Sequence, residues 1–285
     1  MLMQNPVRAA LWMGCAVLSF SLMAIAVREL LGHMGVLEIL LLRTGVTLLI
    51  VLALVPRIGV ATLRTRRFPV HLSRAVMHLG GQMCWMYAIG ALTLATVFAI
   101  EFTFPVWVAL LAMFFLGERM NRGRVVMLAS GFIGILVILG PGLGEFHPAA
   151  LVMLLGSLFY AGNMIMTKRL AATDSPWAVV FWMSVVQLPV TLLAALPQWV
   201  MPQRSDIPWI IAIGLGSFVA HYSIMRAMKL GDASLVVPID FVRLPLIALV
   251  GALFYNEPLQ VSIFVGAGII FAGTFYSLSR ESRKL

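Results

Sequence analysis

Residues 94–116 read LATVFAIEFTFPVWVALLAMFFL, and residues 233–255 read ASLVVPIDFVRLPLIALVGALFY. Each stretch is long enough to cross a bilayer core of ~30 Å as a helix. Each is apolar except around one acid, Glu101 or Asp240, and each acid is followed by phenylalanine, Phe102 or Phe241. The stretches lie 139 residues apart, and the same offset aligns the rest of the chain without gaps. It sets Phe20 on Phe159, Val46 on Val185, Leu49 on Leu188 and Leu54 on Leu193. It sets Ala109-Leu110 on Ala248-Leu249, Glu118 on Glu257 and Gly134 on Gly273. Apolar coincidences are cheap in such a chain. Matched acids are not, because the chain has only 11.

Outward from these stretches the pattern continues. Apolar runs occupy about 9–27, 36–55, 72–92, 94–116, 123–140, 147–167, 177–200, 207–228, 231–255 and 260–279. Basic Pro56 to Arg74, the Gly140–Gly144 turn and the helix start Asp174-Ser175-Pro176 separate some of them. Hydrophobic residues make up 61% of the 285 and charged residues 11%, against ~25% charged in a soluble domain. That balance excludes a soluble enzyme and a disordered chain, and no ~10-residue alternation suggests an outer-membrane barrel. Ala24-Ile25-Ala26 could end a signal peptide, and Gly14-Cys15 hints at a lipoprotein site. Both would need a soluble mature domain, so the first run is read as a helix.

The net charge of +9 suggests nucleic acid, but the basic residues sit in short loops, where they orient a membrane protein. With the N-terminus in the cytoplasm, 16 of the 20 basic residues fall on cytoplasmic segments, Arg74 among them, and only Arg28 and Arg204 fall opposite. Both termini are therefore expected inside, in an inner membrane. Cys15 and Cys84 both lie in apolar runs and are read as packing residues; no metal, cofactor or nucleic-acid partner is expected. The expected fold is all-α: ten transmembrane helices as two five-helix repeats, 8–140 and 147–279. An odd span number per repeat makes the two insert with opposite orientation, an architecture recurrent in secondary transporters.

Ala91-Leu92-Thr93, Ala95, Pro105, Phe115-Leu116-Gly117-Glu118-Arg119 and Gly131-Phe132-Ile133-Gly134 resemble the EamA repeat of the drug/metabolite transporter superfamily. Asp232-Ala233-Ser234, Pro238, Pro245, Asn256-Glu257-Pro258 and Gly268 to Gly273 resemble its second copy. The resemblance implies ten helices, an inverted arrangement and metabolite transport, often outward. Some members handle amino acids, the YddG type exporting aromatic ones; others carry sugars, nucleotide-like solutes or cofactors.

Ionisable groups at bilayer depth need a partner or a wet cavity. Arg43 and Glu101 lie at similar depth and are expected to pair. Asp240 and Arg243 are three apart, hence on one helix face; they either neutralise each other or form a zwitterion site, Arg243 for its carboxylate and Asp240 or Glu101 for its amine. His78, Gln82 and Trp85 share another face, with Ser217 and His221 at the register of His78 and Gln82. Asn163 and His221 are also expected on a wet cavity. Trp85, Tyr160, Trp182 and Tyr222 lie deep, as packing or as stacking surface for an aromatic solute. Pro105, Pro189, Pro238 and Pro245 interrupt helices, and kinks are expected in the fourth and ninth spans. Ser130, Gly134, Gly268 and Ala272 form small-residue pairs for close helix packing.

These features predict a monomeric secondary transporter with a small-molecule substrate, embedded in lipid, and no enzyme. Amino-acid export, aromatic or large neutral, is the expected activity, with sugars, nucleoside-like solutes and cationic drugs as alternatives. A phosphate-binding loop, H-E-x-x-H and G-x-S-x-G are all absent.

Overall fold

The structure is a computed structural model and describes residues 6–116, 122–139, 147–171, 173–230 and 239–282. The described chain is helical throughout, with no strand among the described residues. In order the helices are α1 (Pro6–Leu30), α2 (Val36–Ile58), α3 (Phe68–Ala91), α4 (Leu94–Glu101), α5 (Phe104–Leu116) and α6 (Arg122–Leu139). They continue as α7 (Ala149–Ala171), α8 (Pro176–Ala195), α9 (Ile207–Leu230), α10 (Arg243–Tyr255) and α11 (Val261–Ser282). Six stretches of the described residues are long and apolar enough to cross a membrane: 7–30, 36–58, 94–111, 149–167, 176–198 and 207–227. Shorter apolar helices cover 125–138, 243–255 and 261–277. The protein is thus a multi-pass helical membrane protein.

Local chemistry explains the element ends. Ser175 caps α8, its hydroxyl accepting from the Ala178 N–H at 3.0 Å, with Pro176 in the first turn. Asn256 ends α10 in the left-handed region at φ 51°, a conformation asparagine tolerates better than most residues. The run 94–116 is broken, not merely bent: α4 stops at Glu101 and α5 starts at Phe104, with Pro105 in its first turn. The corresponding break at 241–242 precedes α10. Pro189 sits inside an uninterrupted α8. Pro238, Glu118 and the Gly140–Gly144 linker lie outside the described residues.

Long helices lie side by side in pairs: α1 with α9, α3 with α7, α2 with α8, and α6 with α11. The last pair is close because side chains are missing. A Cβ on Gly134 or on Gly266 would collide with backbone of the opposite helix, and one on Gly273 with Ser130. Gly268, expected at this seam, faces open space instead. The expectation for Cys15 is also corrected: it sits on the exposed face of α1, whereas Cys84 packs beside Gly156 of α7. A further correction concerns Pro56 to Arg74. Only its middle is a connection; α3 begins at Phe68, so His71 and Arg74 are buried helix residues.

Candidate functional site

A cavity of about 150 Å³ lies among α1, α3, α4, α7, α9 and the segment leading into α10. His78, Gln82, Trp85, Glu101, Tyr160, Asn163, His221, Asp240 and Arg243 all border it. Its other walls are apolar and soft: Met13, Phe20 and Met23 of α1, Phe104 of α5, Met164 of α7 and Met225 of α9.

The middle of the cavity is a belt of neutral polar groups. Gln187 of α8 organises it. Its Oε1 accepts from Arg43 at 3.1 Å, and its Nε2 lies 2.9 Å from the Ala75 carbonyl and 3.0 Å from His78 Nδ1. An amide NH₂ has two protons to give, so His78 Nδ1 accepts one and its Nε2 carries the ring proton. Nε2 is enclosed and has no partner. The His221 ring stands edge-on to His78, centroids 5.0 Å apart, and its Nε2 is likewise unpartnered. Gln82 donates to the Tyr160 hydroxyl at 2.8 Å, which leaves Gln82 Oε1 bare. Asn163 Oδ1 is bare as well. Tyr160 reaches this position because residue 81 is glycine; a Cβ there would sit 2.8 Å from the ring.

One end of the cavity is acidic. Arg243 donates to Glu101 at 2.9 Å and lies 3.3 Å from Asp240. Its guanidinium also lies over Phe98, Phe20 and Phe102, at 4.7, 4.9 and 5.4 Å from the ring centres. Glu101 accepts a second bond from the Trp85 indole at 2.9 Å. Two carboxyl groups share one guanidinium at this wall, and Asp240 Oδ1 has no partner among the described residues. Phe102 and Phe241 stack beside it at 4.3 Å.

The other end is cationic and escaped the sequence reading. Arg74, 3% exposed, borders the cavity with Thr167 and Met13. Its Nε donates to the Thr167 hydroxyl at 2.8 Å. The spacing 74, 78, 82, 85 runs down one helix face and could have revealed it.

Three expectations are corrected. Arg43 does not meet Glu101. It is buried on α2 and donates to Ser217 and Gln187, both at 3.1 Å, so it holds the belt from behind and stays out of the cavity lining. Tyr222 also lies outside the cavity, packed among Trp12, Trp177 and Phe218. Trp182 donates to the Leu63 carbonyl at 2.9 Å and rests against Phe68.

Beyond the acidic end the helices are tied together. Arg28 of α1 donates to the Ile89 carbonyl and, at 3.0 Å, to the Leu92 carbonyl, where α3 ends. The same guanidinium pairs with Glu257, whose other oxygen accepts the Leu94 N–H at 2.8 Å, where α4 begins. A cation thus meets the negative end of one helix and a carboxylate the positive start of the next. Tyr255 donates to Glu29 at 2.7 Å, and His33 meets Asp206 at 2.8 Å. The Asp206 carboxyl is held below the usual range, first by the His33 hydrogen bond and further by the Gln203 N–H.

The profile of the EamA-like transporter family matches residues 7–140 and again residues 147–279. A riboflavin transporter of Vibrio cholerae is 29% identical over 286 residues, covering 98% of this chain and 96% of that one. An S-adenosylmethionine uptake transporter of Rickettsia bellii is 25% identical over 87% of this chain and 85% of its own. A solved crystal structure superposes with a TM-score of 0.72 at 19% identity, covering 99% of this chain and all of its own, a likeness of fold.

Proposed function

This chain belongs to the EamA-like transporter family, and from that premise we propose that it carries a flat, hydrogen-bonding heteroaromatic metabolite of the riboflavin kind across the inner membrane. The observation that carries the reading is the belt. His78 Nε2, Gln82 Oε1, Asn163 Oδ1 and His221 Nε2 are enclosed, lack partners among the described residues, and belong to side chains that border one cavity. A buried polar group without a partner costs ~1–3 kcal/mol. A neutral solute with several donors and acceptors would relieve four such groups at once, while Trp85, Tyr160, Phe20 and the methionines supply surface for its ring. The riboflavin transporters among the relatives act on a molecule of this chemistry.

The proposal includes the architecture. Ten spans form two inverted repeats, 8–140 and 147–279, with both termini cytoplasmic, and the protein works as a monomer. Contacts between matched residues support this. Glu101 and its match Asp240 share Arg243, and Phe102 stacks on its match Phe241. Residues related by a twofold axis touch one another only near that axis. The helix pairs α1 with α9 and α3 with α7 also exchange under the 139-residue offset. Transport would proceed by rocking of the halves around the cavity. The Arg28–Glu257 tie closes the side that the charge pattern places outside.

Amino-acid export is the second reading, favoured by the bare Asp240 Oδ1, which suits an ammonium group. It is weakened by Arg243, the intended carboxylate partner, which Glu101 and Asp240 already hold. Proteoliposomes preloaded with unlabelled solute test both. Counterflow of labelled riboflavin, and none of tryptophan, is expected. Tryptophan counterflow without riboflavin counterflow would reverse the order, and S-adenosylmethionine alone would move the substrate to the other group of relatives.

A further inference from the structure

Arg74 is a buried cation of the cavity that no acid among the described residues neutralises. Among the described residues its only partner is a neutral hydroxyl, that of Thr167, and its two terminal nitrogens take no hydrogen bond or ion pair. Asp174, which meets His71 three residues before Arg74 on α3, is occupied: its Oδ2 lies 2.7 Å from His71 Nε2, and its Oδ1 accepts from the Thr173 hydroxyl at 2.8 Å. Thr167 is itself fixed by a 2.8 Å bond to the Asn163 carbonyl, so the contact to Arg74 is held in place. A guanidinium at 3% exposure in a membrane protein normally has a carboxylate opposite it.

Its position along the cavity gives the missing group a place. Arg74 and Trp85 sit on one face of α3, eleven residues or ~16 Å apart at the helical rise. Trp85 is bonded to Glu101, so the acidic wall lies at one end and the unpaired cation at the other. His78, Gln82 and Tyr160 lie between. A free amino acid is too short to meet both ends. A molecule whose ring occupies the belt and whose tail extends along α3 would reach Arg74 with the end of that tail.

We propose that Arg74 is an anion subsite of the cavity, and that it takes a phosphate or carboxylate carried on the tail of a heteroaromatic solute. This rests on the reading of the cavity as the substrate site. The planar fork of a guanidinium matches both anions in bidentate geometry, which a lysine ammonium does not. The solute would then enter ring first and sit with its charged tail towards the end of the cavity that Arg74 and Thr167 line.

Riboflavin and riboflavin 5′-phosphate form a clean pair of probes, identical except for the phosphate on the tail. Their binding to the purified full-length protein in detergent can be followed by flavin fluorescence anisotropy, with inorganic phosphate as a third titrant. Arg74→Gln is expected to weaken riboflavin 5′-phosphate roughly ten- to a hundredfold, the worth of a charge-assisted hydrogen bond, and to change riboflavin by less than about threefold. Arg74→Lys, which keeps the charge and controls for folding, should lie between. Riboflavin 5′-phosphate that binds wild type and Arg74→Gln alike, or binds neither, would overturn the subsite. So would inorganic phosphate binding as tightly as the flavin phosphate, which would make it a site for bulk anions. Failure of riboflavin alone, with Arg74-dependent binding of its phosphate, would remove the neutral-solute reading and leave the subsite standing.

Discussion

The two ends of the cavity solve the same problem in opposite ways. At the Glu101 end charges of both signs meet: Arg243 sits between two carboxyl groups and against three phenylalanine rings, Trp85 takes the remaining Glu101 oxygen, and only Asp240 Oδ1 and Arg243 Nε are left over. Beyond it, Arg28 and Glu257 bind the end of α3 to the start of α4. At the Arg74 end a cation of the same burial has a single hydroxyl. The first end is neutralised largely by the protein itself and is built to hold. The second is left for something that comes and goes. The difference teaches that buried charge alone does not mark a binding group: it must also border the cavity and lack a partner of opposite charge, as Arg74 does and the unpartnered Glu38, away from the cavity, does not.

The largest effect should come from breaking the satisfied end. Arg243→Met leaves Glu101 and Asp240 facing each other without a cation, and unpairing a buried charge costs ~3–5 kcal/mol. We expect a large drop in melting temperature in detergent and no transport. The triple replacement Glu101→Gln, Asp240→Asn, Arg243→Met should recover most of the melting temperature and none of the transport. Recovery of transport would show that the wall is scaffolding.

Next in size is the tie beyond that wall. Glu257→Gln removes the charge that Arg28 and the Leu94 N–H share. If the tie holds that side shut, its loss should favour the opened state by ~1–3 kcal/mol, or about fivefold to a hundredfold in population. Met23 borders the cavity and is fully buried. In a background lacking Cys15 and Cys84, Met23→Cys should react slowly with an impermeant maleimide added outside, and many times faster once Glu257 is Gln. Equal rates would mean that the tie does not gate the cavity.

The sequence made some of this legible, for physical reasons. Bilayer thickness fixes the length of an apolar run, so the membrane class was readable from the runs. Proline position revealed the break before α5, and the matched acids Glu101 and Asp240 pointed to two residues that meet at Arg243. Depth along a helix is a one-dimensional quantity, however. Arg43 and Glu101 sit at similar depth but on helices that turn them to different neighbours, and Gln187, not Glu101, receives Arg43. Arg74 is hidden from a sequence reading because it ends a cluster of arginines that has the composition of a loop, although the cluster runs on into α3. The Arg28–Glu257 pair, 229 residues apart in sequence, leaves no local pattern at all.

A smaller effect is expected behind the belt. Gln187→Leu keeps the side-chain size but removes the donor that fixes His78 Nδ1 as an acceptor. His78 is then free to place its proton on either nitrogen, and Arg43 loses one of its two 3.1 Å acceptors. Riboflavin binding should weaken about three- to tenfold, the worth of one neutral hydrogen bond. Unchanged affinity would separate His78 from recognition and leave the belt to Gln82, Asn163 and His221.

The smallest effect should be a pH dependence at Asp206, where α9 begins. Asp206 is bonded to His33 and to the Gln203 N–H, and its carboxyl is held below the usual range. A depressed carboxyl contributes stability that is fully present above the unfolded value of ~3.9, and that contribution is lost as pH falls through the folded value. Asp206→Asn keeps the shape and removes the titration. Wild type should therefore melt slightly above Asp206→Asn at neutral pH, and the two should converge as the pH is lowered below ~3.9. The gap should be modest, because the His33 side chain is one-third exposed and solvent screens the pair. A gap that widens on acidification would reverse the sign and mean that the neutral carboxyl, not the ionised one, is what the native fold prefers at this position.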